Sequence, residues 1–194
     1  MRRHRYCVAQ LQKVINTQRS NMDIYPEIEL SKAQHNAIEA LRNQSFPEHQ
    51  VTRSYYKQLP HMRVLNYEGD QLVGYMGLDY RVVRVGDEIY KVLGVSDFCV
   101  ESTVQRQGIG TKMLSQLSEY ASTKDVDFII LVSDLERFYV ANGYQRLNSL
   151  SSWLRVHEHK NYGVAVEQLD DLYVKPISGK TWAVGHIDWL GYMY

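Results

Sequence analysis

The stretch VQRQGIGTKMLSQL (residues 104–117) places two glycines, Gly108 and Gly110, between an apolar run and an amphipathic segment. Glycines at the start of a helix let the backbone approach a ligand closely. The first N–H groups of a helix have no intrahelical acceptor, so they can bind a phosphate. A purely structural glycine turn would have the same local sequence. The stretch therefore predicts a strand–loop–helix unit, and its loop is the first candidate for an anion-binding site.

Two common nucleotide-binding loops do not fit these glycines. A Walker A loop requires a glycine followed by Lys and then Ser or Thr, whereas Gly110 is followed by Thr111 and Lys112. A dinucleotide-binding loop requires a third glycine at the position of Met113. The pattern that remains is Gln-x-x-Gly-x-Gly, with Gln105 as its first residue.

The segments around the loop predict alternating strands and helices. Ser31 and Gln34 have the spacing of a capping box, at the start of a helix that ends before Pro47. An antiparallel meander follows, with turns at residues 68–70 and 85–88. The other expected elements are a short strand at residues 27–30, a helix at 111–122, a buried strand within DFIILVSD (127–134), a short helix ending at Asn142 and Gly143, and strands at 153–158, 162–169 and 181–189.

This order of elements predicts the α/β class, with a mixed β-sheet that carries helices on both faces. Residues 23–194 are expected to form a single domain. Residues 1–22, with Arg2, Arg3 and Arg5 near their start, are expected to form a basic helix or arm. The arm either packs on the domain or contacts a partner, such as a second subunit in a homodimer.

The balance of charge limits the classes of partner. Lys and Arg together number 22, as do Asp and Glu, so the formal net charge is zero. Nucleic acids and anionic membranes bind sustained basic surfaces, and neither is expected as a partner. Cys7 and Cys99 lack metal-site spacing, and without a long apolar segment the chain is expected to be cytoplasmic. No compact ligand set accompanies His157, His159 and His186, so no metal is expected.

A second motif, FYVANGY (residues 138–144), makes the glycine loop more specific. The loop, a helix, a buried strand and this motif follow one another in an order that resembles the GCN5-related N-acetyltransferase (GNAT) superfamily. The resemblance covers residues 30–147 and implies a GNAT-type acyl-CoA N-acyltransferase fold. The core motifs would occupy residues 94–147, with further strands in residues 150–194.

The resemblance implies acetyl-CoA as the acyl donor and an amine as the acceptor, which react directly in a ternary complex. Tyr139 would protonate the departing thiolate, because a phenol with a pKa of about 10 is protonated at neutral pH. A buried tyrosine that only packs under the sheet is the alternative. The residues expected to bind the donor are Phe98, Cys99 and Val100 along the pantetheine, and Gln105, Arg106, Gln107, Gly108, Ile109, Gly110 and Thr111 around the pyrophosphate.

The acceptor ammonium must lose a proton before it attacks, so a carboxylate or an ordered water should lie near it. Asp97, on the strand that leads into the loop, is the candidate general base. Ser96 is the candidate for orienting a water instead. A structural, hydrogen-bonded Asp97 is the alternative. Glu101 is expected to be a solvent-facing charge.

The meander at residues 71–110 and the ending GHIDWLGYMY (residues 185–194) also resemble aminoglycoside 2′-N-acetyltransferases. This implies an aminoglycoside or amino sugar as the acceptor, with Asp188, Trp189 and Tyr194 in its pocket; a plain edge strand with packed aromatic residues is the alternative. The expected function is acetyl-CoA-dependent N-acetylation of a small primary amine. A non-catalytic acyl-CoA-binding or protein-interaction module on the same fold is the competing hypothesis.

Overall fold

The computed structural model describes residues 22–193. Apart from Met22, the expected N-terminal arm lies outside the described residues, as does Tyr194. The strands and α-helices are β1 (Met22–Pro26), α1 (Lys32–Ser45), β2 (Met62–Glu68), β3 (Gln71–Val85), β4 (Glu88–Val100), α2 (Ile109–Ser122), β5 (Phe128–Val132), α3 (Glu136–Ala141), β6 (Gln145–His157), β7 (Lys160–Pro176) and β8 (Ile187–Tyr192).

The described strands form one mixed sheet in the order β1-β2-β3-β4-β5-β7-β6-β8. The strands from β1 to β4 are antiparallel, and the predicted turns at Gly69 and Gly86 are present. β4 then pairs in parallel with β5, but this pairing ends at Gly94 and Ile130. Beyond that point β4 stays paired with β3 while β5 stays paired with β7. The carboxyl ends of β4 and β5 therefore diverge and leave a space between them.

Helices cover both faces of the sheet, as predicted. Ser31 caps α1 and forms the expected capping box with Gln34. Because neighbouring strand residues point to opposite faces, Tyr75 of β3 packs in the cluster beneath α1 and Met76 packs in the cluster beneath α2. The first cluster contains Ile38, Leu41, Leu65, Leu72, Tyr75 and Cys99, and α2 contributes Met113, Leu114, Leu117 and Ala121 to the second.

The C-terminal strand closes part of the sheet into a ring, which the sequence did not predict. β8 pairs in parallel with β6 and also, through Ile187 and Asp188, with the end of β3. The closed strands surround a third apolar cluster in which Trp189 is fully buried. Since β3 and β8 lie far apart in the chain, no local pattern indicates that they meet.

Three local predictions are wrong. Glu27–Glu29 form a 3₁₀ turn instead of a strand, because the strand that pairs with β2 is Met22–Pro26. Residues 181–186 are not a strand, and Trp182 stacks its ring on Tyr90 instead. The strand expected at residues 153–158 has other bounds, because β6 begins at Gln145 and ends at His157, and Glu158 and His159 form the turn to β7. Among residues 22–193, no helix is both long enough and apolar enough to cross a membrane.

Candidate active site

The glycine loop presents backbone amides at the start of α2. Gly108 occupies the N-cap position with φ of +83°, a conformation that costs glycine no steric energy. The first intrahelical hydrogen bond runs from Lys112 N to Gly108 O at 2.9 Å, so the amides of residues 109–111 precede it. No side chain in the described part of the chain caps this end of the helix. Uncapped amides at the positive end of a helix dipole form a site for an anion such as phosphate.

The two sequence motifs touch each other through Gly110 and Phe138. A Cβ atom on Gly110 would lie 3.1 Å from Phe138 Cζ and 3.6 Å from Phe98 Cζ. The missing side chain therefore lets α2 pack closely against α3. Gly110 is required because a side chain there would meet Phe138, whereas Gly108 is required because its backbone has a positive φ.

Glu101 stabilises the segment that leads into the glycine loop. The prediction that its side chain faces solvent is wrong. Its side chain is buried, with 7% of its surface exposed, and accepts hydrogen bonds from Thr103 N at 3.0 Å and Gln44 Nε2 at 3.3 Å. Hydrogen bonds from the Thr103 side chain and backbone lower the pKa of Glu101. Gln105 is tied to the preceding strand, because its Nε2 donates to Val100 O at 2.9 Å.

Two cavities meet beside the ends of β4 and α3. The first, the loop groove, has a volume of about 670 Å³. The second, the inner cavity, has a volume of about 420 Å³ and extends between β4, β5 and residues 56–60. Phe46, Phe98, Leu135 and Tyr139 line both cavities. The donor-binding residues predicted from the sequence that line the loop groove are Phe98, Cys99, Val100, Gln105, Arg106, Gly108, Ile109, Gly110 and Thr111, whereas Gln107 is exposed beside it.

A β-bulge places two consecutive residues of β4 in the inner cavity. The register shifts at Met76, so Asp97 and Phe98 together face one residue of β3. Asp97 adopts a positive φ of 49°. In a regular strand Ser96 and Asp97 would point to opposite faces, but both line the inner cavity here. Gly77 leaves room for Ser96, because a Cβ atom there would lie 2.6 Å from Ser96 Oγ.

Arg42 of α1 holds the Asp97 side chain. Arg42 Nε lies 2.9 Å from Asp97 Oδ2, and the two side chains are 1% and 19% exposed. The guanidinium also donates through Nη1 to His49 O at 2.8 Å, and it lies over the ring of Tyr56. Arg42 was not among the residues predicted from the sequence. The available signal was an arginine on the buried stripe of α1, four residues after Ile38.

Tyr139 stands where the two cavities meet. It is 4% exposed, and its ring packs against Tyr144 and Tyr173 at centroid distances of 5.6 and 5.4 Å. Burial raises the pKa of Tyr139 to about 12, while a hydrogen bond with the Ser133 side chain acts in the opposite direction. The phenol is therefore protonated at neutral pH and lines both cavities.

Asp79 and Tyr192 also line the inner cavity, and neither was selected from the sequence. Tyr192 donates to Asp79 Oδ2 at 2.7 Å, and Arg81 pairs with the same carboxylate while lying over the Tyr192 ring. Burial, with a contribution from Asp79, raises the pKa of Tyr192 to about 12. An aspartate within the apolar run of β3 was the signal that could have indicated Asp79.

Two of the C-terminal residues predicted for the acceptor pocket, Asp188 and Trp189, lie outside both cavities. Asp188 pairs with Arg84 at 3.1 Å, and Trp189 is buried inside the ring of closed strands. Neither side chain lines the loop groove or the inner cavity. Tyr194 is outside the described residues.

The histidines do not form a ligand cluster. His157 and His159 contact the rings of Tyr56 and Tyr55, while His186 is exposed. Within residues 22–193, no group of His, Cys, Asp and Glu side chains has the arrangement needed to hold a metal ion.

The chain matches a family model described as an acetyltransferase (GNAT) domain over residues 27–147. No curated protein matches the chain significantly. The YhbS N-acetyltransferase of Escherichia coli, solved with CoA, has a TM-score of 0.57 at 12% identity, and the match covers 88% of this chain and 91% of YhbS. A Brucella melitensis GNAT acetyltransferase, solved with acetyl-CoA, has a TM-score of 0.53 at 15% identity, over 87% of this chain and 95% of that one.

The matches also include longer proteins. Eis1 of Mycobacterium abscessus has a TM-score of 0.54 at 15% identity, and the match covers 67% of this chain but only 33% of Eis1. At such identities these structures show a common fold. The family model extends over more than half of the sequence, including both the glycine loop and the FYVANGY motif. The chain therefore belongs to the GNAT family of acetyltransferases.

Proposed function

We propose that the protein transfers the acetyl group of acetyl-CoA to a primary amine of a small molecule, by direct attack in a ternary complex. The observation that carries this proposal is the position of Tyr139. Its buried phenol lines both the loop groove, which has an anion site at its end, and the inner cavity, which contains Asp97. A thioester lying in the groove would present its reactive carbon beside this junction.

The loop groove suits the donor. The amides of residues 109–111 and the glycine backbone offer donors to the pyrophosphate, with Arg106 and Gln107 exposed nearby. Beyond Gly94, β4 has no partner on the side of β5 among the described strands, so the backbone of residues 98–100 can pair with the pantetheine amides. Gln105 orders this edge through its hydrogen bond to Val100 O.

The inner cavity supplies the groups for deprotonating the amine. The ammonium form of the acceptor loses a proton to Asp97, or to a water held by Ser96, and becomes a nucleophile. The neutral amine then forms the new C–N bond at the thioester carbon, and the C–S bond breaks. The surplus proton of the nitrogen passes through water to Tyr139 after the phenol has protonated the sulfur. Arg42 acts as a positioning residue, because it holds Asp97 Oδ2 and leaves Oδ1 outside this ion pair.

Tyr139 assists the departure of CoA. As the C–S bond breaks, negative charge develops on sulfur, and the phenol donates a hydrogen bond and then a proton to it. Because burial raises the pKa of Tyr139, the phenol is fully protonated when the thiolate forms. The raised pKa also makes proton transfer from Tyr139 to the sulfur unfavourable before the C–S bond has broken. The phenol therefore first stabilises the sulfur through a hydrogen bond and transfers its proton afterwards.

A thiol-release assay tests the proposed function. The purified protein is incubated with acetyl-CoA and aminoglycosides, amino sugars, polyamines, amino acids or short peptides, and free CoA thiol is followed. The resemblance places aminoglycosides and amino sugars first in this screen. We expect acceptor-dependent thiol release with at least one class. Binding of acetyl-CoA without release for any amine would contradict the proposal and favour a non-catalytic acyl-CoA-binding module.

A further inference from the structure

Lys57 is a cation in the inner cavity, and the described residues offer it no carboxylate partner. Its side chain is partly buried, and its Nζ donates to Met193 O at 3.1 Å. Among residues 22–193, no Asp or Glu lies within ion-pair distance of it. Burial lowers the pKa of Lys57, and the charge of Asp97 partly offsets this. An ammonium group has three N–H donors. One of them binds Met193 O, so Lys57 retains two for a ligand.

Arg42 adds a second cationic group to the same cavity. Its Nε is engaged by Asp97, and its Nη1 by Asn43 and His49 O. Its Nη2 makes no hydrogen bond with any residue in the described part of the chain, although Arg42 lines the cavity. Asp97 therefore has two cationic neighbours, and the charge around it exceeds what one carboxylate can balance.

The remaining acids of the inner cavity do not reverse this excess. Asp79 is 2% exposed and already paired with Arg81, and it also accepts the hydroxyl of Tyr192. Asp134, the third aspartate of the lining, is exposed at the rim. A polycation such as an aminoglycoside requires several unpaired carboxylates, since each of its charges would be desolvated.

From this charge distribution, and on the basis of the proposed function, we infer that the acceptor is an amino carboxylate, a small molecule that carries a carboxylate together with the reacting amine. The amine faces Asp97 and Tyr139, and the carboxylate accepts hydrogen bonds from Lys57 Nζ and Arg42 Nη2. The rings of Phe46, Tyr56 and Tyr192, which also line the cavity, contact the rest of the molecule. The carboxylate of such a ligand supplies an anion for Lys57 and Arg42, and its ammonium arrives at no net change in charge.

Matched acceptor pairs test the inference. Thiol release is measured for α-, β- and γ-amino acids and for the corresponding amides, which keep the amine and lose the carboxylate. An amide neighbour lowers the pKa of the amine, so intrinsic reactivity at neutral pH favours the amide. We nevertheless expect kcat/KM to be at least about tenfold higher for the best amino acid than for its amide, mainly through KM.

Three variants assign the preference to Lys57. Lys57→Met should bring the ratio of acid to amide close to one, and Lys57→Arg should retain most of it, because the charge is kept. Lys124→Met is the matched control, because Lys124 is exposed just beyond the C-terminal end of α2, and its ratio should equal that of the wild type. A ratio unchanged in Lys57→Met overturns the inference, as does turnover restricted to amides, polyamines or aminoglycosides. These results would leave the proposed function standing.

Calorimetry separates the inference from the proposed function. Each amino acid of the series is titrated into the CoA-saturated protein, where no reaction takes place. Weaker binding to Lys57→Met than to the wild type supports the inference even if no amine is acetylated, in which case only the proposed function fails. Equal affinity for the two proteins, or no binding of any amino acid, overturns the inference.

Discussion

Arg42 Nε lies 2.9 Å from Asp97 Oδ2, which joins the buried face of α1 to the bulge of β4. The pair fixes the direction of a carboxylate whose backbone already has a positive φ. A structural role and a chemical role for Asp97 are therefore compatible. Arg42 holds one carboxylate oxygen, and the side chain still lines the inner cavity.

Asp97→Asn should separate these two roles. The amide oxygen can still accept from Arg42, so the fold is expected to be retained, whereas the proton acceptor is lost. We expect kcat/KM for the amine to fall by about 100-fold to 1,000-fold. The residual rate should rise with pH, because solution then supplies the neutral amine. A pH profile of thiol release, with circular dichroism of both proteins, makes the measurement.

The control for this variant is Asp188→Asn. Asp188 pairs with Arg84 and lines neither cavity, so its rate should match that of the wild type. A loss of activity in Asp188→Asn would instead support the role in the acceptor pocket that the sequence predicted for Asp188. An unchanged rate in Asp97→Asn would exclude Asp97 as the base and leave the water near Ser96.

Tyr139→Phe should slow turnover without weakening donor binding. The ring and its contacts with Tyr144 and Tyr173 remain, but the proton donor to sulfur is removed. We expect kcat to fall by about 100-fold or more while the Kd for acetyl-CoA changes by less than about threefold. Thiol-release assays and calorimetric titration with acetyl-CoA check the two quantities. Wild-type turnover in this variant would remove Tyr139 from the reaction.

Tyr144→Phe is a matched control for Tyr139→Phe. The Tyr144 hydroxyl is buried and makes no hydrogen bond with a described residue. Its removal relieves an unsatisfied polar group, so the free energy of unfolding should stay the same or rise by up to about 1 kcal/mol. Thermal or urea denaturation measures this change. A large loss of stability would show that the hydroxyl has a partner.

The raised pKa of Tyr139 determines how the stability and the kcat of the protein change at alkaline pH. Since burial raises it to about 12, from about 10 in an unfolded chain, the folded state favours the neutral phenol. The phenol's contribution to stability is complete below about pH 10 and is lost as the pH rises towards about 12. Accordingly, kcat should not fall between about pH 8 and about pH 10 through loss of this acid.

Denaturation at pH values below and above this range tests whether stability falls as the pH rises. The difference in unfolding free energy between the wild type and Tyr139→Phe should be constant below about pH 10, and the wild type should lose relative stability above it. A decline of kcat with an apparent pKa near 10, absent in Tyr139→Phe, would contradict the assignment of a buried phenol.

Gly108→Ala should reduce the affinity for CoA more than it reduces the free energy of unfolding. Gly108 has φ of +83°, and a Cβ atom there would have no other atom within 4 Å, so backbone strain of about 1 kcal/mol is the direct cost. The strain shifts the amides at the start of α2, and we expect the Kd for CoA to rise at least about tenfold. Calorimetry with CoA measures it.

Gly179→Ala provides the matched control, because Gly179 has φ of +85°, equally open surroundings and a position outside both cavities. The two variants should lose similar stability, and only Gly108→Ala should lose CoA affinity. Equal CoA affinity in both variants would argue against the loop as the pyrophosphate site.

Elements that depend on nearby residues could be predicted from the sequence. The capping box of Ser31 and Gln34, the turns at Gly69 and Gly86 and the helix after Gly108 all follow from chemistry within a few residues. The same is true of the FYVANGY segment, whose aromatic pair and Asn-Gly ending form a short helix and its stop. These local patterns, together with their order, were enough to indicate the family.

Features that join distant parts of the chain required the tertiary structure. The bulge at Asp97 depends on the register between β3 and β4, and a shift of one residue reverses which side chains face the cavity. The partnership of Arg42 with Asp97, the burial of Trp189 and the approach of Tyr192 to Asp79 are contacts between separate elements. The sequence by itself determined the loop and the phenol that indicate the donor. Only the tertiary structure decided which charged side chains meet in the inner cavity, because these residues are distant in the sequence and are brought together by the pairing and packing of separate elements.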